Sequence, residues 1–338
     1  MKPRILLIYT GGTIGMMAHP VTGELQSLRF DYIQQQIPEI QQLAIEVLSV
    51  SIAQPLDSSE MHPKQWIELT EIIEAHASHM DGFVILHGTD TLAYTASALS
   101  FMVQNLGKPI IITGSQLPVG ILRSDGKENL LAALEIAAKK DQEGNAAVKE
   151  VAVFFQSKLF RGNRVSKVSA HQFDAFDAPN YPALGFAGVE IEIQPALGLP
   201  SAKRQPTFFK ELATDVGLVK LFPGIGLVAY ASVFQVAAHR AVVIESFGAG
   251  NTPNDAEFST VLQNYVVQGG ILVTISQCIR GGVRPGQYAS GKLLEQLESW
   301  NGKNMTTEAA ITKLMWMLGQ ASRPSQQLFE QALCGEIS

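Results

Sequence analysis

The sequence predicts an α/β protein: a larger N-terminal doubly wound parallel-sheet domain and a smaller C-terminal α/β domain. Three observations carry that expectation. Short apolar runs alternate with stretches whose apolar residues recur at helical spacing. Polar segments, several of them rich in glycine, follow the apolar runs directly. The alternation then lapses where Pro195, Pro200 and Pro206 punctuate the chain, and afterwards resumes. The expected division is therefore residues 1–194, a linker over 195–210, and a second domain over 211–338.

Taken in order, Ile5–Tyr9, Ile45–Ile52, Phe83–Leu86, Ile110–Ile112 and Val151–Phe155 are nearly continuous apolar runs, the pattern of strands buried on both faces. Pro63 stands where a first helical turn begins, and Trp66, Leu69, Ile73 and Ala77 fall on one face after it. A second helix follows Asp90, which is placed to cap it, carries Leu92, Ala96, Leu99 and Val103, and ends at Gly107. A third runs from about Ser124 to Lys140. Beyond the linker the reading is a strand at Gly217–Leu221, a helix over Pro223–His239, a strand at Val242–Ile244, a helix from about Asn254 and a strand at Ile271–Ile275. Two helices close the chain, near Thr306–Leu318 and Ser325–Leu333.

Composition narrows the function. With 338 residues, 46% hydrophobic and 17% charged, the chain can bury two cores. A formal net charge of -6 gives no electrostatic reason to expect a nucleic-acid partner. Cys278 and Cys334 are the only cysteines, an economy that suits a reducing compartment and argues against a disulfide framework. The apolar run after Met1-Lys2-Pro3-Arg4 is too short for a signal-peptide core, and no stretch approaches the roughly 18 apolar residues of a membrane helix. The expectation is a cytoplasmic protein with no membrane partner.

In open parallel sheets, ligands bind beyond the carboxyl ends of the strands. The residues that follow each strand are Thr10-Gly11-Gly12-Thr13, then Asp57-Ser58-Ser59-Glu60, then His87-Gly88-Thr89-Asp90-Thr91, then Thr113-Gly114-Ser115-Gln116. After the fifth strand, a loop is expected to carry Lys158, Arg161, Arg164 and Lys167. Hydroxyls, carboxylates and amines thus converge on one edge. A dinucleotide cradle fails on detail, because Thr13 and Met16 occupy positions that the motif reserves for glycine. No phosphate-loop motif and no G-x-S-x-G elbow occurs. His76 and His79 have no third ligand nearby, so they read as a surface pair rather than a metal site, and His87 reads as a packed, hydrogen-bonded histidine. Thr89 with Lys167 and Asp90 makes a plausible activating constellation, since a lysine held by a carboxylate can relay a hydroxyl proton.

These residues carry a resemblance. Thr10-Gly11-Gly12-Thr13-Ile14 together with His87-Gly88-Thr89-Asp90-Thr91 resembles the paired signature of the bacterial-type L-asparaginases. Ser115-Gln116, Arg123-Ser124-Asp125-Gly126, Arg161-Gly162-Asn163-Arg164, Gly248-Ala249-Gly250-Asn251 and Gln277-Cys278-Ile279-Arg280-Gly281 with Tyr288-Ala289-Ser290-Gly291 extend it over nearly the whole chain. The form of the Asp57-Ser58-Ser59 loop is similar to the cytoplasmic, type I branch. The resemblance implies L-asparagine as substrate, Thr13 as nucleophile, and Thr89, Asp90 and Lys167 as its catalytic partners. It implies substrate contacts from Asp57, Ser58, Thr89, Asp90 and Ser115, and from Asn251 of a neighbouring subunit in a homodimer or homotetramer. It implies no metal and no organic cofactor.

Two departures from the family pattern stand out. Secreted members carry a tyrosine soon after the nucleophile, whereas here the stretch is Met16-Met17-Ala18-His19-Pro20-Val21-Thr22-Gly23-Glu24; the matching C-terminal tyrosine is Tyr288. Where allosteric type I members carry an arginine, this chain has Glu245, which argues against a second, regulatory asparagine site. Two other readings share parts of this pattern. The glutaminase subunit of a tRNA-dependent amidotransferase shares the motifs but carries a domain ahead of the threonine loop. A silent amino-acid-binding protein has no need of Thr13, Thr89, Asp90 and Lys167 together.

Overall fold

The computed structural model describes residues 2–12, 14, 35, 37–201, 204–226, 230–284, 291–320 and 324–338, and the backbone of 16–18 and 25–27. The chain divides into two compact units, residues 1–210 and 211–338.

The first unit is built on an eight-stranded sheet. Its parallel strands are β1 (Arg4–Gly11), β2 (Glu46–Leu56), β3 (Gly82–Leu86), β4 (Ile110–Thr113) and β5 (Val151–Phe155), in the spatial order β2-β1-β3-β4-β5. The sheet then continues antiparallel through β6 (Lys158–Arg161), β7 (Gly185–Ala187) and β8 (Ile191–Ile193). Helices α1 (Pro63–His76), α2 (Leu92–Met102) and α3 (Gly126–Ala138) cover it.

The apolar runs are continuous because both faces are buried. Leu6, Ile8, Phe83, Ile85, Ile110 and Ile112 pack with Leu69 and Ile73 of α1 and with Leu92, Ala96 and Leu99 of α2. Their neighbours in sequence, Ile5, Leu7, Val84, Leu86 and Ile111, point the other way and pack with Leu130, Ala133 and Leu134 of α3. The steps β3→β4 and β4→β5 run in the same direction across the sheet, yet α2 and α3 lie on opposite faces. One of these two crossovers therefore has the left-handed sense that only about one in fifty adopts. The segment leading into α3 leaves from the carboxyl end of β4, which starts residues 114–125 at that edge of the sheet.

Several expectations need correction. Helix α2 stops at Met102 rather than Gly107: Val103–Gln104 pairs as a short strand with Thr207–Phe208, and Asn105 and Gly107 take positive φ. Lys158 and Arg161 are not in a loop but on β6, because β5 turns back on itself through Gln156 and Ser157, both at positive φ. The strand places Arg161 opposite Ala152, at the amino end of β5 and away from the carboxyl edge. Asp90 does not cap α2; Thr91 stands at the cap position, without a side-chain cap bond.

Within the second unit, β9 (Val216–Lys220), β10 (Ala241–Ser246), β11 (Ile271–Ser276) and β12 (Trp300–Asn301) form a parallel sheet in that order. The expected helix over Pro223–His239 is not present among its described residues, which form successive turns such as Val233 N–H to Tyr230 O and Ala238 N–H to Gln235 O. Pro223, Gly224 (φ +86°) and Gly226 disfavour a continuous helix here. Helix α4 (Ala256–Val267) follows, capped by Asp255, whose carboxylate accepts Phe258 N–H at 2.8 Å. Helices α5 (Lys292–Gln296), α6 (Thr307–Gln320) and α7 (Gln326–Phe329) complete the unit. The fully buried Lys313 of α6 pairs with the buried Glu336 and donates to the carbonyls of Phe329 and Gln331, at 2.7 Å each, fastening the last residues to α6. No helix among the described residues is long and apolar enough to cross a membrane.

At the amino end of the parallel strands of the first unit, Arg161 donates to Glu150 at 2.6 Å and 3.3 Å and to Leu197 O at 2.8 Å, and its guanidinium lies 4.4 Å from the ring centre of Tyr181. Glu150 also accepts Leu199 N–H at 2.7 Å. Both charges are buried, so removing one partner is costly. Glu150→Ala is expected to cost about 3–5 kcal/mol in urea unfolding, and Glu150→Gln less. A loss below about 1 kcal/mol for the alanine variant contradicts a bracing role for this pair.

Candidate active site

Strand order locates the site. From β1 the chain steps to β2 on one side, and from β3 to β4 on the other, so the connections diverge between β1 and β3. In doubly wound sheets with this order, ligands bind at that switch point, outside the carboxyl ends of the strands. Thr10–Gly12 and His87–Thr91 occupy it.

The loops there meet backbone to backbone. Gly12 has φ +81°, and a Cβ on it would lie 2.4 Å from both Cα and N of Gly88. A Cβ on Gly88 would lie 2.6 Å from Ser58 Oγ. Three loops therefore close on each other only because two glycines present no side chain. Thr10 adds a staple, its hydroxyl donating to Leu86 O at 3.0 Å. From the second loop, Ser58 is buried; its Oγ accepts Asp90 N–H at 3.3 Å and its carbonyl accepts the Thr91 hydroxyl at 2.6 Å. Asp57 opens a short 3-10 turn, accepting Ser59 N–H at 2.8 Å, and that bond holds its carboxyl below the usual carboxylate range.

Thr89, Lys167 and Asp90 come together. Lys167 Nζ donates to Thr89 Oγ1 at 2.8 Å and to Asp90 Oδ1 at 2.7 Å. Lys167 reaches this place from a two-residue strand, Ser166–Lys167, paired antiparallel with Phe176–Asp177. Thr89 is nearly buried, Lys167 has 19% of its side chain exposed, and Asp90 has 62% exposed. Asp90 therefore offers an open carboxylate beside a sheltered hydroxyl–amine pair.

Gln116 is the residue the sequence reading missed. The Thr89 hydroxyl donates to Gln116 Oε1 at 3.1 Å. Its expected neighbour Ser115 is buried and donates its hydroxyl to Leu117 O at 2.6 Å, within its own loop. The signal was the pair Ser115-Gln116 itself, in which the backbone turn decides which side chain faces Thr89. Thr13 and Tyr288 lie outside the described residues. In the second unit, Asn251 closes a tight turn with Phe247, exchanging backbone bonds at 3.0 Å and 2.8 Å, with Gly248 and Gly250 at positive φ. Glu245 is buried, accepts the Thr307 hydroxyl at 2.6 Å and lies 3.4 Å from Lys220 Nζ.

Other candidates are structural. Arg161 and Arg164 are buried in the first unit, with Arg164 5.2 Å from the Tyr181 ring centre. His76 bonds the carbonyl of Ile72 at 2.8 Å, and its ring lies 5.2 Å from that of His79. Among the described residues no group of three or more His, Cys, Asp or Glu could hold a metal ion. His87 is fully buried. Its Nδ1 lies 2.7 Å from Gly88 O, which can only accept, so Nδ1 carries the proton. In the neutral ring Nε2 then accepts from the Thr95 hydroxyl at 2.8 Å, and Thr95 in turn accepts the Trp66 indole N–H at 2.9 Å.

With this geometry in place, comparison with known proteins gives a consistent result. The family model described as "Asparaginase, N-terminal" matches residues 4–197, and "Glutaminase/Asparaginase C-terminal domain" matches residues 215–328. The chain is 40% identical to L-asparaginase 1 of Escherichia coli K12, over all of this chain and 98% of that protein. The crystal structure of L-asparaginase I from Vibrio cholerae superposes with a TM-score of 0.89 at 35% identity, covering all of both chains. The L-asparaginase of Thermococcus kodakarensis gives the same TM-score at 31% identity, covering 99% of each chain.

Burial pushes the His87 imidazole down to about 4. In the unfolded chain it takes up a proton below about 6.5, so between pH 6.5 and 4 the unfolded state holds more protons. Stability from this group is complete above pH 6.5 and is lost as pH falls toward 4, about 3 kcal/mol in all. His87→Gln is expected to lack this component in unfolding measured across that range. Identical pH dependence in the two proteins contradicts it.

Proposed function

The chain belongs to the asparaginase family, and from that premise we propose that it hydrolyses the side-chain amide of L-asparagine to L-aspartate and ammonia. The observation that carries the reading is the assembled group at the switch point: the Thr89 hydroxyl on Lys167 Nζ, and Lys167 on an exposed Asp90 carboxylate.

On this reading Thr13 is the nucleophile. Its hydroxyl oxygen attacks the amide carbon, the hydroxyl proton is delivered to the amide nitrogen as the C–N bond breaks and ammonia leaves, and water then splits the acyl-enzyme ester, releasing aspartate and returning a proton to the Thr13 oxygen. Backbone N–H groups beside Thr89 stabilise the developing oxyanion, a contribution of about 3–4 kcal/mol per donor. Thr89 lies between a donor, Lys167 Nζ, and an acceptor, Gln116 Oε1, so its hydroxyl is held in one direction beside the amine that takes part in proton transfer. The Asp90 carboxylate takes the α-ammonium of the substrate, and Asp57, Ser58 and the backbone at Ser115 complete its grip. Asn251 enters from a neighbouring subunit of a homodimer or homotetramer. Tyr288 supplies the hydroxyl that orients Thr13. The enzyme works in the cytoplasm, without metal or organic cofactor.

Asparagine should be strongly preferred to glutamine. With the α-groups fixed, one further methylene displaces the amide carbon from the nucleophile, and about 1 Å of misplacement can cost about 100-fold in rate. Ammonia release measured with both amides tests this, and equal kcat/KM values would sink it.

Thr13→Ala and Lys167→Ala should each abolish turnover while the melting temperature stays that of the parent. Tyr288→Phe should lower kcat by about 100- to 10,000-fold, the range of a positioned acid–base group. Substantial turnover in Thr13→Ala or Lys167→Ala means the nucleophile or its relay is elsewhere. Near-normal kcat in Tyr288→Phe means Thr13 is activated without that hydroxyl.

A further inference from the structure

The segment between β4 and α3 starts at the carboxyl edge of the sheet, and an acidic residue inside it controls what it presents there. Asp125 is 8% exposed and directly precedes α3, yet its side chain does not cap that helix. Its two carboxylate oxygens both lie 3.0 Å from Gln116 N, one accepts Leu117 N–H at 3.2 Å, and the other accepts Asn129 Nδ2 at 3.2 Å. Asn129 is fixed in turn: it donates to Gly114 O at 3.0 Å and accepts Gln156 N–H at 3.2 Å. The Leu117 carbonyl is held by two hydroxyls, Ser115 at 2.6 Å and Ser124 at 3.1 Å. The backbone of residues 115–117 is thus gripped from both sides. The side chain that leaves this gripped backbone toward Thr89 is Gln116. Its Nε2 donates to Gln172 O at 3.0 Å, in the segment that follows Lys167.

We infer that Asp125 is a positioning residue for the reaction: by gripping the Gln116 amide it aims the Gln116 side chain at the Thr89 hydroxyl and so fixes that hydroxyl's direction. A hydroxyl proton rotates to suit its surroundings. With Gln116 Oε1 in place the Thr89 proton points to it and an oxygen lone pair faces Lys167 Nζ. Without it only the lone pair has a partner, and the proton is undirected. A carboxylate suits this task because hydrogen bonds to an ionised acceptor are roughly twice as strong as neutral ones. Keeping a charge in a buried loop is costly, and here it is matched by donors alone, since Gln116 N–H, Leu117 N–H and Asn129 Nδ2 all point at the two carboxylate oxygens. The inference rests on the proposed roles of Thr89 and Lys167.

The test is a double-mutant cycle with a structural arm. Asp125→Asn keeps the shape but places an NH2 group opposite Asn129 Nδ2, and Gln116→Ala removes the contact to Thr89 directly. Each should lower kcat on asparagine by about 10- to 100-fold, with KM changed less than about threefold. The double variant should be no slower than the slower single variant, because both act through one contact. Crystals of Asp125→Asn should show Gln116 Oε1 out of hydrogen-bond reach of Thr89. If Asp125→Asn does not fold, Asp125→Glu keeps the charge, moves it by one methylene and enters the same cycle. The inference is overturned if the kcat losses multiply, if the loss falls on KM, or if Gln116 stays on Thr89 without the Asp125 carboxylate. A parent enzyme that releases no ammonia from asparagine overturns the functional reading instead, and the crystal structures still decide the Asp125–Gln116–Thr89 link.

Discussion

The candidate site depends on one close approach, the contact between Gly12 and Gly88 at the switch point of the sheet. Any side chain on Gly12 would sit 2.4 Å from Gly88 backbone atoms, and one on Gly88 would run into Ser58. Because neither exists, the loops after β1 and β3 meet as bare backbone and the Ser58 side chain of the loop after β2 packs against Gly88. That brings Gly12 against the His87–Gly88 backbone, directly before Thr89. Every polar contact named at this edge is drawn over that floor.

Around it, burial divides the polar groups into two kinds. Three of those inside are satisfied and fixed: His87 with Gly88 and Thr95, Asn129 with Gly114 and Gln156, Arg161 with Glu150. Such networks hold a loop in one arrangement, since any slip would leave a buried polar group without its partner. Those at the rim keep open valences, above all Asp90 with most of its carboxylate exposed. The interior braces the loops, and the rim leaves polar groups open at the candidate site.

The same division explains two charged stretches that the sequence alone made look alike. Lys167 and Arg161 both lie after the fifth apolar run, and both read as candidates for the carboxyl edge. The turn at Gln156 and Ser157 reverses the chain, so β6 carries Arg161 back to the amino edge, where it meets Glu150. The short strand at Ser166–Lys167 then returns Lys167 to Thr89. A turn of two residues decides which cation braces the fold and which enters the site.

By itself the sequence determined the class of fold, the five parallel strands, the three helices that cover them, and the residue types at the carboxyl edge. Those features follow from periodicity and from what comes directly after each apolar run, which are local properties. It also held the paired threonine motifs, whose order and spacing are specific enough to name a family. It did not determine where α2 ends, because the pairing of Val103–Gln104 with Thr207–Phe208 is set by residues about a hundred positions away. Nor did it hold back the helix over Pro223–His239, which is absent among the described residues of that stretch, where proline and glycine outweigh helical spacing. Only the tertiary structure decided that Gln116 rather than Ser115 reaches Thr89, and that Asp90 pairs with Lys167 instead of capping α2. Each of those outcomes is a choice between adjacent or competing partners, made by backbone direction and burial, and neither is a property of a residue read in its own neighbourhood.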